Sequence, residues 1–307
     1  MDAGSDDSDK PVSHQGSIFK RLTSPFQNLF KREKLPSISW DPSDIYDFTH
    51  TNRGLMIIIN NEHFKSHGPR PGTDVDVENL KSTFTDLGFD MQIHHNKTYK
   101  EMMKIFKSAA KRDHSQSDCF ACIVLSHGDE VRMIDKHRPD QLERLDVIYA
   151  TDGIMFTKDI IQQFSDLKVP SLANKPRLFF VQACRGSSLD SGVPLPVGDL
   201  DMPDGEMPRV EVSPCPLYKD SLIMYATPPG YYAFRRPDTG SWFVRALCKV
   251  FSDQSPRKRS LNQLLTAVIK LVAQEYESQS ANWNISKKKQ TPCFQSMLTK
   301  DIYFKGN

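Results

Sequence analysis

The chain has 307 residues, of which 38% are hydrophobic, so it is long enough for one sizeable domain or two small ones. Its 40 basic and 38 acidic residues leave a net charge of +2, which gives no reason to expect nucleic acid or a membrane surface as the main partner. Six cysteines do not indicate a disulfide scaffold, and no run reaches the roughly 18 apolar residues of a membrane span. Because the first residues also lack the pattern of a signal peptide, we expect a cytoplasmic chain with reduced cysteines and no stable membrane anchor.

Residues 1–48 have the composition of a polar extension, which is acidic at its start and basic from Lys20 to Lys34. This composition favours a disordered tail. The alternative is a short amphipathic peptide, beginning near Ser24-Pro25, that contacts a membrane or a partner when it is exposed. In either case the extension is too short to be an independent adaptor domain of six helices.

Three short apolar runs, at 55–59, 119–125 and 178–181, do not alternate with polar residues and therefore predict strands buried on both faces of a mostly parallel sheet. Further strands are predicted at 221–226 and 294–298. Apolar residues at helical spacing, a Thr98–Glu101 capping box and a Thr157 cap predict helices at 74–87, 98–112, 157–164, 241–251 and 260–276. Alternating strands and helices of these lengths indicate an α/β layered domain.

Cys119 and Cys122 match a C-x-x-C pattern, but we do not expect them to bind a metal. Side chains three residues apart on a strand point to opposite faces, so the two sulfurs cannot share one ion, and the sequence has no second pair. We interpret both cysteines as core residues, and we assign no metal and no cofactor to the chain.

Cys184 and His127 stand just past the ends of two predicted strands, in the sequences Gln182-Ala183-Cys184-Arg185-Gly186 and Ser126-His127-Gly128. Ligands of open parallel sheets gather at the carboxyl ends of the strands, so two neighbouring strands would bring both side chains together. Taken alone, a cysteine of this kind is more often a buried structural residue than a catalytic one. Together, and with glycines that let the backbone approach a substrate closely, the two residues indicate a thiolate protease.

These two motifs resemble the active-site signature of the caspases, in which the histidine lies about 50 residues before the Gln-Ala-Cys sequence. The resemblance is to the executioner group with short prodomains and runs from about residue 54 to residue 304. It depends on the order and joint presence of further matching stretches at 53–61, 70–76, 229–235, 240–243 and 292–298. It implies the caspase-like layered α/β fold, with a central, mostly parallel six-stranded sheet and helices on both faces.

The resemblance also implies the catalytic roles. Cys184 is the expected nucleophile, which attacks a peptide carbonyl as a thiolate. His127 is expected to support this attack and to protonate the leaving amine. The backbone N–H groups of Gly128 and Cys184 are expected to form the oxyanion hole.

The substrate aspartate is assigned, by the same resemblance, to a pocket made by Arg70, Gln182 and Arg235. Two guanidinium groups suit one carboxylate because they donate bidentate hydrogen bonds, and lysine would not replace them well. The neighbouring subsites are assigned to Tyr232, Phe234, Arg236 and Trp242.

The chain departs from the family pattern at three places near the active site. Phe234 stands where the family usually has tryptophan, which predicts a wider pocket. Arg236 replaces the usual asparagine, and its charge would either favour an acidic residue at the fourth subsite or block that subsite. The loop at 62–69 is shorter than usual, and the carbonyl group that orients the histidine in the family falls on Gly68.

Residues 131–146 look like an insertion beside the active site, and they are dense in charge. The simple interpretation is a solvated loop. The alternative is an exosite for a substrate or a regulator. Deleting this segment would then change the cleavage of proteins without changing the cleavage of short peptides.

The family further implies a zymogen that is activated by cleavage in the proline-rich segment 187–216. Asp204-Gly205, with Asp201 three residues earlier, is the expected processing site, although the segment could also be a linker whose acids have no role. Cleavage there would divide the chain into a short prodomain, a large subunit and a small subunit, at 1–48, 49–204 and 205–307. Removal of the prodomain is expected after Asp7, Asp9 or Asp44.

Expected partners are protein substrates with acidic cleavage motifs, a second copy of the chain in a homodimer of large and small subunit pairs, an upstream initiator caspase and inhibitor-of-apoptosis proteins. Two other hypotheses remain open. A catalytically silent homologue would regulate partners by binding, but both catalytic residues and all three pocket residues are present. A protease with another specificity is disfavoured because paired arginines would repel a basic side chain. A role in apoptosis is implied by the family alone.

Overall fold

The computed structural model describes residues 41–134, 142–190, 218–253, 258–280 and 282–304. The predictions for residues 1–40, and for the linker residues 191–217 with Asp204 and Gly205, lie outside these ranges. Within the described ranges, no helix combines the length and the apolar character that a membrane crossing requires.

A six-stranded sheet lies at the centre of the described part of the chain. All strands in chain order are β1 (Leu55–Asn60), β2 (Asp90–His95), β3 (Phe120–Leu125), β4 (Gly128–Ile134), β5 (Leu142–Ala150), β6 (Gly153–Phe156), β7 (Arg177–Gln182), β8 (Ser221–Tyr225), β9 (Arg235–Arg236), β10 (Gly240–Ser241) and β11 (Cys293–Ser296). The order in the central sheet is β11-β8-β7-β3-β1-β2, and only the pair of β8 and β11 is antiparallel. The predicted mostly parallel sheet is confirmed, although β2 was not among the predicted strands.

Helices cover both faces of this sheet. They are α1 (Thr73–Asp86), α2 (Tyr99–Ala110), α3 (Thr157–Gln162), α4 (Trp242–Ser252) and α5 (Leu261–Glu275). The buried residues of α1, α4 and α5 form one core cluster with the sheet, and those of α2 and α3 form a second cluster. The predicted layering of helices on both faces is therefore confirmed.

The central strands are buried along their whole length because consecutive side chains point to opposite faces, and each face is covered. Ile58 belongs to the core cluster on one face, whereas its neighbours Ile57 and Ile59 belong to the cluster on the other. Cys119 and Cys122 divide between the two clusters in the same way. The prediction that these two sulfurs point apart as core residues is confirmed.

One predicted helix start is confirmed and one is wrong. At the start of α2, the Thr98 hydroxyl accepts a hydrogen bond from the Glu101 N–H at 3.3 Å, and the Glu101 carboxylate accepts one from the Thr98 N–H at 2.8 Å. Thr157 does not cap α3 but is its first residue, and its buried hydroxyl has no partner among the described residues. The helix ends at Gln162, because the next N–H groups change to the tighter pattern of a 3₁₀ turn: Gln163 donates to the Ile160 carbonyl at 3.1 Å and Phe164 to the Ile161 carbonyl at 3.0 Å.

The prediction of a solvated loop at 131–146 is wrong for the residues that the structure describes. β4 and β5 pair in antiparallel fashion, with Gly128 opposite Ile148, and β6 adds a third strand. Burial alternates along β5, since Leu145 and Val147 are buried and Asp146 between them is partly exposed. The many charged residues in this segment make that alternation difficult to recognise in the sequence. Residues 135–141 lie outside the described ranges.

The packed domain begins upstream of the predicted boundary at residue 48. Tyr46 and Phe48 are only 4% and 6% exposed, and the Tyr46 hydroxyl donates a hydrogen bond to Asp220 Oδ1 at 2.5 Å. The carbonyl oxygen of Asp44, a predicted cleavage position, accepts a hydrogen bond from the Asp301 N–H at 2.7 Å. A protease would have to detach this segment from the domain before it could cut there.

Candidate active site

His127 and Cys184 lie beyond the carboxyl ends of β3 and β7, which are neighbours in the central sheet. Leu125 pairs with Gln182 in the parallel register, and the Ser126 N–H donates a hydrogen bond to the Gln182 carbonyl at 3.1 Å. The structure therefore brings the two residues to the same edge of the sheet, although they are far apart in sequence.

The imidazole ring of His127 is oriented by a carbonyl group and packed between aromatic rings. Its Nε2 lies 2.8 Å from the Gly68 carbonyl oxygen, to which it donates, so Nδ1 is left as the proton acceptor. Gly68 is the residue on which the orienting carbonyl was expected to fall. The ring centroids of Phe64 and His67 lie 4.7 and 5.6 Å away. Burial lowers the pKa of His127, although the hydrogen bond to Gly68 acts in the opposite direction.

The thiol of Cys184 is largely withdrawn from water and contacts the backbone of Ala233. The Ala233 N–H donates a hydrogen bond to Sγ at 3.4 Å. Burial raises the pKa of the Cys184 thiol, and this hydrogen bond offsets only part of the effect. A raised thiol pKa and a lowered imidazole pKa favour the neutral pair in the resting site.

Gly128 stands where segments of backbone approach one another closely. A Cβ atom at this position would lie 2.7 Å from the Cys184 carbonyl oxygen and 2.8 Å from the Val147 carbonyl oxygen. These separations are too short for any side chain, so glycine is needed for the backbone of β4 to lie beside Cys184. The arrangement brings the Gly128 backbone beside the backbone of Cys184.

Arg70 is a cation buried beneath this edge of the sheet, with 1% of its surface exposed. Its Nη1 donates to the Asn61 carbonyl at 2.9 Å and to the Thr73 hydroxyl at 3.2 Å, but its Nη2 has no partner among the described residues. Burial, and then the neighbouring charge of Arg235, lowers the pKa of Arg70 to about 9. A buried donor of this kind costs stability until an acceptor binds it.

The surroundings of Arg70 leave a local excess of positive charge. Gln182 is buried, and its Oε1 also lacks a partner among the described residues. Arg235 is half-buried, donates through Nε to the Pro71 carbonyl at 2.9 Å, and has its pKa lowered by burial. The nearby carboxylate of Asp76 already accepts hydrogen bonds from the backbone and hydroxyl of a buried serine. This pocket suits a ligand carboxylate.

The residues assigned to the outer subsites form a layered surface next to the pocket. Tyr232 is 41% exposed. Phe234 stacks on Trp242 with ring centroids 4.7 Å apart, and Trp242 itself is only 3% exposed, so Trp242 supports the Phe234 ring from behind. Arg236 is exposed and pairs with Asp238 at 3.5 Å. A ligand carboxylate could replace that partner easily, because exposed ion pairs are weak.

Gln290 was missed by the sequence analysis and holds the segment that carries Phe234. It is 1% exposed, its Oε1 accepts a hydrogen bond from the Phe234 N–H at 2.6 Å, and its Nε2 donates to the Ala226 carbonyl at 2.8 Å. No motif marks this residue, because it follows a run of three lysines and is separated in sequence from the segment that it binds.

The loop after Cys184 is joined to the same segment by backbone hydrogen bonds. The Arg185 N–H donates to the Tyr231 carbonyl at 3.0 Å, and the Ser188 N–H donates to the Gly230 carbonyl at 2.8 Å. Gly186 has a φ of 141° and lies so close that a Cβ atom would be 2.5 Å from the Gly230 carbonyl carbon. The nucleophile loop and the outer-subsite segment are thus one hydrogen-bonded unit.

Comparisons with known proteins agree with this geometry. A family model described as "Caspase domain" matches residues 53–303. The chain is 40% identical to Caspase-7 of Gallus gallus over 269 residues, which cover 86% of this chain and 81% of that protein. It is 38% identical to Caspase-3 of Mesocricetus auratus over 262 residues, which cover 84% and 86%. The solved structure of Caspase-1 from Spodoptera frugiperda matches with a TM-score of 0.73 and 33% identity, and covers 88% of this chain and 96% of that one.

The matched region spans most of the chain, and it contains every residue that the sequence analysis assigned to catalysis and to the aspartate pocket. The six-stranded sheet and its helices in the described ranges agree with the fold of the matched structure. The chain therefore belongs to the caspase family of aspartate-specific cysteine endopeptidases and is similar to its executioner members.

Proposed function

We propose that Cys184 and His127 perform the cleavage and that Arg70, Gln182 and Arg235 bind the substrate aspartate. The observation that carries the proposal is Arg70 Nη2, a buried guanidinium donor without a partner among the described residues. A substrate carboxylate supplies the missing acceptor and compensates the two neighbouring positive charges.

In the proposed reaction, Sγ of Cys184 attacks the backbone carbonyl carbon of the substrate aspartate whose side chain occupies the pocket. The thiol proton passes to Nδ1 of His127. The N–H groups of Gly128 and Cys184 stabilise the oxyanion. The C–N bond breaks as the His127 imidazolium returns its proton to the leaving amine, which gives a thioester. Water, deprotonated by His127, hydrolyses the thioester and restores the thiol.

The test of this assignment compares two short fluorogenic peptides that differ only in having aspartate or asparagine at the cleaved position. We expect kcat/KM to be at least about 100-fold lower for asparagine, because the buried guanidinium of Arg70 then keeps no anionic partner. Equal cleavage of both peptides would contradict the pocket assignment. If neither peptide is cleaved by the processed chain, the catalytic assignment is also contradicted.

Replacing Gly128 by alanine is expected to lower kcat about 100-fold with little change in KM, because the added carbon displaces an N–H group from the oxyanion. Steady-state kinetics on the aspartate peptide measures the effect. Gly153→Ala is the matched control, since it makes the same change in the same three-stranded sheet where nothing lies within 4 Å of the added carbon. Similar losses in both variants would indicate a general disturbance of that sheet instead.

Replacing Arg236 by asparagine is expected to lower kcat/KM about fivefold for peptides with an acidic residue at the fourth subsite and to leave peptides with an apolar residue there unchanged. The effect is modest because Arg236 is exposed and its ion pair is screened by water. A peptide library scanned at that position measures the preference. A rise in activity on all peptides would show instead that Arg236 obstructs the subsite.

The relatives imply protein substrates and a dimeric assembly of large and small subunits. We place the boundary between the subunits after Asp204, with Gly205 beginning the small subunit and the prodomain ending before the packed residues Tyr46 and Phe48. β11, which is the edge strand of the central sheet, is the proposed dimer contact. An upstream initiator caspase, inhibitor-of-apoptosis proteins and a cytoplasmic location complete the proposal, supported by the family resemblance.

A further inference from the structure

Helix α2 carries a row of lysines along one exposed face. Lys100, Lys104, Lys107 and Lys111 are all exposed, and they follow one another at intervals of four, three and four residues. These intervals place the four side chains above one another on the same side of a helix. We call this row the α2 lysine stripe.

The charge of the stripe is not neutralised by the residues around it. None of the four lysines takes part in an ion pair with a described residue. The acids near the stripe are hydrogen-bonded locally. Glu101 completes the capping box with Thr98, Asp113 accepts a hydrogen bond from the Ser115 N–H at 2.9 Å, and Asp152 accepts one from the Tyr99 N–H at 2.8 Å. Like charges at these intervals destabilise a helix, so the stripe has a cost in the free chain that an anionic partner would offset.

The lysines share one exposed face of α2 with less polar side chains. Tyr99, Met103 and Ser108 lie between the lysines on this face. Tyr99 is 40% exposed, so its ring is accessible from the same side as the lysines. A row of cations with an aromatic ring and a thioether between them fits a peptide that is acidic and partly apolar.

The stripe begins at the rim of the active site. The Lys97 N–H donates to the Asn61 side chain at 2.9 Å, and the carbonyl of the same asparagine accepts the hydrogen bond from Arg70 Nη1. The Thr151 N–H donates to the Lys97 carbonyl at 3.0 Å, and this links the helix start to β5. From there the stripe extends roughly 16 Å away from the site, at 1.5 Å per residue.

We propose that the α2 lysine stripe is a docking surface for an acidic segment of the protein substrates, outside the residues that are cleaved. The inference rests on the proposed function, because it needs a polypeptide held at the active site. Continuity with that site favours a substrate over other anions, since hydrogen bonds through Asn61 join the start of α2 to Arg70. Docking raises the local concentration of the cleavage site without changing the chemistry.

The experiment compares the processed full chain with a variant in which all four stripe lysines are replaced by glutamine. The control variant carries the same substitution at Lys249, Lys258, Lys270 and Lys300, which are also exposed. The substrates are the short aspartate peptide and two versions of one reporter protein, whose flexible linker beside the cleavage site is followed by a glutamate-rich or a serine-rich tract. Glutamine keeps helix propensity and removes only the charge.

We expect the stripe variant to cleave the glutamate-tract protein with about fivefold lower kcat/KM at low salt, and to cleave the serine-tract protein and the peptide normally. The difference should disappear at about 0.5 M salt, because exposed charges are screened within a few ångströms there. Equal cleavage of the glutamate-tract protein by all three enzymes would overturn the proposal. The same loss in the control variant would assign the effect to net charge rather than to α2, and would also overturn it.

A binding measurement separates this inference from the cleavage assignment. Full-length Cys184→Ala protein, with and without the four glutamines, is titrated into a fluorescein-labelled peptide of about eight glutamate and glycine residues, which offers no aspartate to the pocket. We expect binding about fivefold weaker for the stripe variant, whether or not the wild type cleaves anything. Unchanged binding contradicts the proposal. Tighter binding after deletion of residues 2–9 would show that the chain's own acidic start occupies the stripe, which would overturn the proposal. Preferential binding of a single-stranded oligonucleotide would identify nucleic acid as the partner and would also overturn it.

Discussion

Cys184→Ala is expected to lower peptide cleavage by about 10⁴-fold or more, because alanine has no thiol with which to form the thioester. The expectation follows from the position of Sγ beyond the end of β7 and beside the His127 strand. The measurement is kcat/KM on the aspartate peptide, together with the intact mass of the chain after expression. Wild-type protein should split after Asp204, and the variant should remain whole.

Cys293→Ser is the matched control, because this cysteine is also partly exposed, and serine keeps a group that can accept from Arg185 and donate to the Thr227 carbonyl. It should cleave the peptide at a normal rate. If the wild type remains whole, an initiator caspase is added to both proteins, and the peptide assay then decides. A wild type that is processed in this way but remains inactive on the peptide would support the silent homologue instead.

Arg70→Lys is expected to lower kcat/KM on the aspartate peptide by about 10³-fold, although the positive charge is retained. The planar guanidinium can donate to the Asn61 carbonyl, the Thr73 hydroxyl and a substrate carboxylate at the same time. The single ammonium group of lysine cannot reach all three acceptors. Peptide kinetics and the Tm of each variant measure the effect. The fold should hold, because the wild-type pocket already contains a buried donor without a partner among the described residues.

The matched control for this change is Arg112→Lys, which alters an exposed ion pair with Asp90. It should cost little in activity or stability, because surface pairs contribute under about 1 kcal/mol. Arg70→Lys should also lose most of its discrimination between aspartate and asparagine peptides. If its activity falls equally on both peptides, Arg70 supports the site structurally and does not bind the carboxylate.

The convergence of the catalytic residues could be predicted from the sequence because it depends on sheet topology. Uninterrupted apolar runs indicate parallel strands, and the carboxyl ends of neighbouring parallel strands meet at one edge. This rule was sufficient to predict that Cys184 and His127 lie at the same edge of the sheet. The two-residue repeat of a strand was sufficient to predict that the side chains of Cys119 and Cys122 point to opposite faces of the sheet.

The parts that could not be predicted depend on pairing between distant segments. Residues 142–150 form a strand because β4 lies beside them, and the carboxylate of Asp146 on this strand accepts two hydrogen bonds from Arg185, far along the chain. Tyr46 and Phe48 are core residues only because the ends of other elements cover them. Gln290 acts through two backbone groups that no local pattern identifies.

The hydrogen-bonded unit formed by the nucleophile loop and the outer-subsite segment has a consequence for the cut chain. In the sequence, the loop at 185–188 precedes residues 191–217 and the segment at 230–232 follows them. The paired strands β7 and β8 are separated in the same way. Scission in between removes one covalent link and none of these backbone hydrogen bonds. We therefore expect the products to stay associated on dilution, because one carries four strands of the central sheet and the other carries the remaining two. Proteolysis here frees two chain ends within a single cooperative body rather than releasing two proteins.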